Sequence, residues 1–167
     1  MNHTGHLQIY TFKKGLLSRV AHDLRLKLSP CGVALSGNQV TGQFALRSLQ
    51  LDGALIDGKI APHLLDQKDK KKILDNVHNK VLRSQTHPEV KLTGTITGDL
   101  FSGQLHLCGR LAPIACPLEK TESSVSGQIE LRPSDWGISP FKALLGAIQL
   151  QDRVLVAFHF TTEPTSQ

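Results

Sequence analysis

Short segments in which every second residue is apolar recur along this 167-residue chain, with Gly, Pro, Ser, Asn and Asp between them. Side chains alternate across a β-strand, so such a segment buries one face and wets the other. "HDLRLKLSP" (22–30) is the clearest, with Leu24, Leu26 and Leu28 opposite Asp23, Arg25 and Lys27, and Pro30 stopping it. "HLQIYTF" (6–12) sets Leu7, Ile9 and Thr11 against Gln8, Tyr10 and Phe12. "GVALSGNQVTGQFALRSLQLDGAL" supplies further strands around a turn at 36–38. Phe44 and Leu46 share one face there, while Leu49 and Leu51 fall on the other unless a bulge near Ser48 resets the pleat. "VKLTGTIT", "FSGQLHLCGRL", "APIACPLE", "SVSGQIELRP" and "RVLVAFHFTT" continue the series. Regular short strands predict a mainly β chain, either a sandwich or an antiparallel barrel of about eight strands.

The period changes once. In "HLLDQKDKKKILDNVHNKVLRS" (63–84), Ile73, Val77 and Val81 recur every fourth residue, beside Leu74 and Leu82. That is an amphipathic helix near 66–83, with Asp66 as its N-cap. "KKGLLSRVA" suggests a short helical turn, "DWGISPFKALLG" (135–146) a loop or one helical turn, and "EPTSQ" a disordered tail. Length, the absence of a linker and the lack of an internal repeat predict one domain over 1–167.

Several chemistries lack their residues. No HExxH, GxSxG, GxGxxG or P-loop pattern occurs. His22 and Asp23 are adjacent, but neighbours on a strand face opposite ways. His106 and Cys108 share a strand face without a third metal ligand in view. Cys31, Cys108 and Cys116 are odd in number and show no CxxC spacing, against a disulfide framework. Cys108 and Cys116 read as small core fillers in apolar strands. The expectation is a non-enzyme without cofactor or metal. No signal-like or membrane-spanning apolar run is seen, which predicts a cytoplasmic chain, or a periplasmic one if a leader was removed.

The net charge is +5. Part of it sits on the helix, where Lys68, Lys70, Lys71, Lys72, Lys80 and Arg83 outnumber Asp66, Asp69 and Asp75. One reading is an interaction module whose basic helix docks an acidic partner or an anionic membrane surface through Lys68, Lys70, Lys71 and Lys72. The plainer one is a solvated helix face. Scattered aromatic residues give no base-stacking platform, so no specific nucleic acid is expected, and a homodimer stays open.

The strands offer something else. Alternation turns Leu24, Leu26, Leu28, Phe44, Leu46, Leu105, Leu107, Ile129, Leu131, Val154, Val156, Phe158 and Phe160 inward. If the sheet curls, these residues face one another, and a small barrel either fills with them or holds one ligand. Gly103 and Gly109 lie in phase with Leu105 and Leu107 and reduce inward volume. Periodicity does not distinguish an apolar tunnel from a packed core. Arg19, His22 and Arg47 flank apolar strands and are candidates for a polar headgroup at the mouth.

Six stretches, taken in their chain order, resemble those of one known family. "GQLHLCGRLAPIACPLE" resembles the hairpin G-x-L-T-[LI]-H/N-G-x-T-K-P-V of the YceI-like, polyisoprenoid-binding proteins, with Gly103, Leu105, Leu107, Gly109, Pro113 and Ile114 in place. Cys108, Leu111 and Ala112 depart from it. "LRSQTHPEVKLTG" is similar to the family's segment ending in Tyr-Pro, with His87 and Pro88 standing there, and "KDKKKIL" resembles the start of its helix. "SGQIELRPSDWGI" and "LQDRVLVAFHF" resemble its closing strands and turn, which bring Trp136 into the candidate set. "GLLSRVAHDLRLKL" matches in outline. The resemblance implies a lipocalin-like antiparallel barrel with a helix against it. It also implies non-catalytic binding of an isoprenoid or fatty-acid-like molecule in an apolar interior lined by the inward residues above.

Overall fold

The computed structural model describes residues 2–15 and 21–162. Segment 16–20, with Arg19 and the expected helical turn, lies outside them, as does the tail 163–167. The chain is mainly β. Its strands are β1 (Asn2–Lys13), β2 (Asp23–Leu28), β3 (Pro30–Ser36), β4 (Gln39–Ala45), β5 (Gln50–Ile56) and β6 (Lys59–Ile60). After helix α1 (Gln67–Asn76) come β7 (Glu89–Thr97), β8 (Leu100–Leu107), β9 (Arg110–Pro117), β10 (Glu119–Lys120), β11 (Ser124–Leu131), β12 (Lys142–Ala143) and β13 (Ile148–Thr162). Every ladder is antiparallel, and the main order is β10-β11-β13-β1-β3-β4-β7-β8-β9.

Pro30 bends its strand instead of ending it. β2 pairs with β1 over Leu7–Thr11 and β3 pairs with the same strand at Asn2 and His3, so the two form one long strand with a kink. Pro30 lacks an amide proton, and the register beside it shifts by a residue. The other edge then divides, β2 pairing with β5 and β3 with β4.

The sheet curls like a lipocalin wall, but its ladder does not close into the expected barrel. β9 runs through Leu118 into β10, which pairs with β11 only at Glu119 and Lys120. Between β9 and β11 a side chain makes the link: the Cys116 thiol donates to the Gln128 carbonyl at 3.3 Å.

Turn chemistry follows the hairpins. Gly37 and Gly98 take positive φ at the first positions of two-residue turns. Cys108 (φ 50°) and Gly109 (φ 77°) form the left-handed pair joining β8 to β9. Cys108 is therefore a turn residue, not a strand residue, and it does not share a strand face with His106. Its buried thiol donates to the Leu82 carbonyl at 3.2 Å, pinning this hairpin to the end of the helical segment.

The helix begins as its sequence predicts. The Asp66 carboxylate accepts the Asp69 amide at 2.7 Å, and Asp69 returns the bond to the Asp66 amide. After Asn76 the helix widens into a π turn over Val77–Val81, with the Leu82 amide reaching the Val77 carbonyl. Arg83 then takes a left-handed φ of 49° and ends the segment.

Candidate functional site

One apolar cavity of about 770 Å³ runs between the curled sheet and the helical segment. Such a volume lies in the upper part of the range of small-molecule sites. β1 lines it with Leu7, Ile9 and Thr11, β2 with Leu24, Leu26 and Leu28, and β8 with Phe101, Leu105 and Leu107. β11 and β13 contribute Ile129, Leu131, Val154, Val156, Phe158 and Phe160. Every residue that alternation turns inward therefore lines one space.

The space stays open because the aromatic rings lie against the wall. A Cβ at Gly127 would fall 2.6 Å from the ring of Phe158, its cross-strand partner, so that ring covers the glycine. Phe160 covers its partner Gly5 in the same way. The Phe101 ring roofs the directly paired Gly94 and Gly103, and Phe44 lies beside Gly42. Glycine supplies a floor without a side chain, and the ring occupies that depth rather than the lumen. Gly103 thus removes no inward volume of its own; Phe101 fills it. Gly109 sits in the turn, against the His87 ring, and not on the inner face.

Leu46 and Leu49 both line the cavity, although one continuous strand would put them on opposite faces. A single 3-10 turn over Leu46–Ser48 resets the pleat, in place of the bulge considered near Ser48. The Ser48 hydroxyl holds that turn by donating its one proton to the Ala45 carbonyl at 2.8 Å, with the Ser29 carbonyl at 3.1 Å as the alternative acceptor. The same turn carries Arg47 to the exposed outer side, away from the cavity lining. Among the headgroup candidates, His22 lines the cavity, Arg47 does not, and Arg19 lies outside the described residues. Asp23 beside His22 is engaged elsewhere: its carboxylate accepts the Lys13 amide at 2.8 Å.

Trp136 is buried (2 % exposed) and lines the cavity from the Pro133–Trp136 turn. Its indole Nε1 donates to the Leu105 carbonyl at 2.8 Å, fastening the turn to β8. Asp152 secures the other side by accepting the Ser134 hydroxyl and amide, and these bonds, the hydroxyl first, hold its carboxyl below the usual range.

Sequence reasoning missed the far wall. Ile73, Val77 and Val81 line the cavity with Leu64, Leu65 and Leu82, so the apolar stripe of the helix faces the lumen. Its four-residue spacing was the available signal. Phe141, Ile148 and Leu150 join from the 139–150 segment, where no alternation announced them. Asp69 and Lys72 of α1, with Ser139, Leu144 and Gln151, are the exposed residues of the lining, so the cavity meets solvent at α1 and at the 139–151 segment.

The polar chemistry of the cavity is sparse. Thr11 Oγ1 is the one buried side-chain polar atom among the described residues without a hydrogen-bond partner. Burial raises the pKa values of the Cys108 and Cys116 thiols, so both stay protonated near neutrality and are weak nucleophiles. Arg83 beside Cys108 and the Gln128 bond at Cys116 only partly oppose this. Among the described residues no group of three or more His, Cys, Asp or Glu could hold a metal ion. Among the described residues no helix is long and apolar enough to cross a membrane.

No protein-family model and no curated protein sequence matches the chain. Solved structures do. BcnA of Burkholderia cenocepacia superposes with a TM-score of 0.63 at 13% identity, over 95% of this chain and 96% of that one. A polyisoprenoid-binding domain from Saccharophagus degradans, implicated in plant cell wall breakdown, superposes with a TM-score of 0.59 at 13% identity, over 96% and 94%. A mutant YceI protein with a monobromobimane guest gives 0.50 at 9% identity, over 82% of each chain. The curled antiparallel sheet, the helical segment across it and these superpositions together identify a YceI-like fold.

Proposed function

We propose that this chain binds a hydrophobic isoprenoid or similar lipid in the cavity, and that it does so without chemistry. The apolar cavity of about 770 Å³ carries this reading. An isoprenoid chain needs width and an oily lining more than hydrogen bonds. Burial yields roughly 0.8 kcal/mol per methylene, offset in part by ordering of the guest. The Thr11 hydroxyl offers one polar foothold, and His22 and Lys72 stand by for a polar end. The binding of polyisoprenoid by the Saccharophagus domain adds support from a related fold. In this reading residues 1–167 act as one binding domain, with Leu24, Leu26, Leu28, Phe44, Leu46, Leu105, Leu107, Ile129, Leu131, Trp136, Val156, Phe158 and His22 against the guest.

Solvent extraction of purified protein, followed by mass spectrometry, identifies what it carries. Uptake of an added polyprenol measures capacity. A tryptophan at position 107 projects further into the lumen, so Leu107→Trp is expected to reduce uptake at least tenfold while the protein still folds. No co-purifying lipid together with no polyprenol uptake removes the proposal.

The basic-helix reading is the weaker one, because two of its four lysines are engaged within the chain. Lys70 Nζ donates to the Asp52 carbonyl at 2.9 Å, and Lys71 pairs with Asp75 at 2.9 Å.

A further inference from the structure

The segment that borders the mouth carries an unusual tip. Leu144 (φ 50°) and Leu145 (φ 54°) both adopt the left-handed conformation, followed by Gly146 (φ 90°). Glycine and asparagine take that region readily, whereas branched apolar side chains are uncommon there. The tip is nevertheless well braced. Lys142 and Ala143 pair with Gln149 and Ile148, and the Ala147 amide donates to the Leu144 carbonyl at 3.0 Å. Gln149 Nε2 donates to the Gly146 carbonyl, also at 3.0 Å. The result is a hydrogen-bonded hairpin end that leaves two leucines to solvent: Leu144 is 65 % exposed and Leu145 entirely so.

Neither folding nor turn chemistry accounts for leucine at these positions. Their surroundings do suggest a use. Exposed Lys14 and Lys142 sit on either side of Gln149 and border one surface hollow with it; the Lys14 amide donates to the Gln149 carbonyl. Asp152 is the acidic residue in that hollow, and its carboxylate is already bonded to Ser134. Leu144 also forms part of the cavity lining, and Pro140, Leu150 and Gln151 border both the cavity and the hollow with the two lysines, so tip, cations and cavity adjoin.

We infer that the Leu144–Leu145 tip, flanked by Lys14 and Lys142, docks the mouth onto an anionic lipid bilayer. The leucines enter the boundary between headgroups and acyl chains, and the lysines meet the anionic headgroups. A guest leaving the cavity there passes into lipid without crossing water. Docking itself does not require the cavity to be loaded, so its test is separate from the test of ligand uptake.

Co-sedimentation with vesicles of phosphatidylcholine and phosphatidylglycerol, against pure phosphatidylcholine, provides that test. Binding to the anionic vesicles is expected, falling as salt rises. Leu145→Asn should weaken it about tenfold, and Lys142→Gln about fivefold. Asparagine suits the left-handed backbone, so the first variant keeps its fold, and it should take up polyprenol from solvent as the parent does. As a second readout, the emission of Leu145→Trp should shift to the blue on adding anionic vesicles. Absence of sedimentation by the parent protein, undiminished sedimentation of Leu145→Asn, or an unshifted Leu145→Trp spectrum overturns the inference.

Discussion

β1 and β13 are joined backbone to backbone from His3 to Thr11, whereas α1 lies across the lumen with its Lys70 side chain bonded to the Asp52 carbonyl. The wall is a hydrogen-bonded ladder with its register set, and glycine floors keep its rings low. The helical side is held by side chains: the Ile73, Val77 and Val81 stripe against the lumen and the Asp66 cap at its start. A ladder opens only when several bonds break together. A helix resting on apolar contacts and a cap can shift at smaller cost. The sheet is therefore the stiffer side of the cavity, and the helical segment is the side that can shift.

The largest expected effect tests whether Trp136 belongs to the wall. Trp136→Ala removes a buried ring and its bond to Leu105, and should destabilise the chain by roughly 3–5 kcal/mol in urea titration. A loss under about 1 kcal/mol would make that turn a dispensable appendage.

Next comes the ring-over-glycine wall. A methyl at Gly42 would lie 3.2 Å from the Phe44 ring, tighter than ordinary contact. Gly42→Ala should lift the ring toward the lumen, lowering polyprenol uptake and costing roughly 1–3 kcal/mol of overpacking. Unchanged uptake with unchanged stability would show that the ring has room to move aside.

Asp66→Ala should cost about 1 kcal/mol, confined to the helix. Amides of 67–76 should then exchange faster while those of β1 and β13 keep their protection. Equal acceleration in both regions would break the contrast between them.

The smallest effect is a pH dependence at Asp152. Its folded pKa lies below the ordinary value, so the stabilisation it contributes is present above the usual carboxylate range, about pH 4. It is lost as pH falls through the folded value. The group is only half-buried, so the change should be a slight loosening of the Trp136 turn, followed by indole emission, and Ser134→Ala should reduce it. An acid transition identical in that variant would mean that another carboxylate controls the turn.

Much of the wall was readable in residue order because alternation is local: Leu24, Leu26 and Leu28 share a face whatever their neighbours do. The Asp66 cap was readable for the same reason, since its partner Asp69 is three residues away. That Arg47 falls outside the cavity lining was not legible, because a one-turn 3-10 helix leaves no periodic trace. Gly103 was misjudged because the ring that covers it belongs to a side chain whose direction depends on cross-strand packing. The leucine tip was read as a loop or one helical turn, and its exposure depends on how β12 pairs with β13.

Residue order by itself determined the strands, the helix and the inward set, since these follow from periods of two and about four residues. Tertiary structure alone decided that the sheet curls without closing, that the helical stripe completes the lumen, and that the lumen is open. Those outcomes depend on register between distant segments and on the volume left when rings settle over glycines. Neither quantity is encoded in the spacing of residues along one strand.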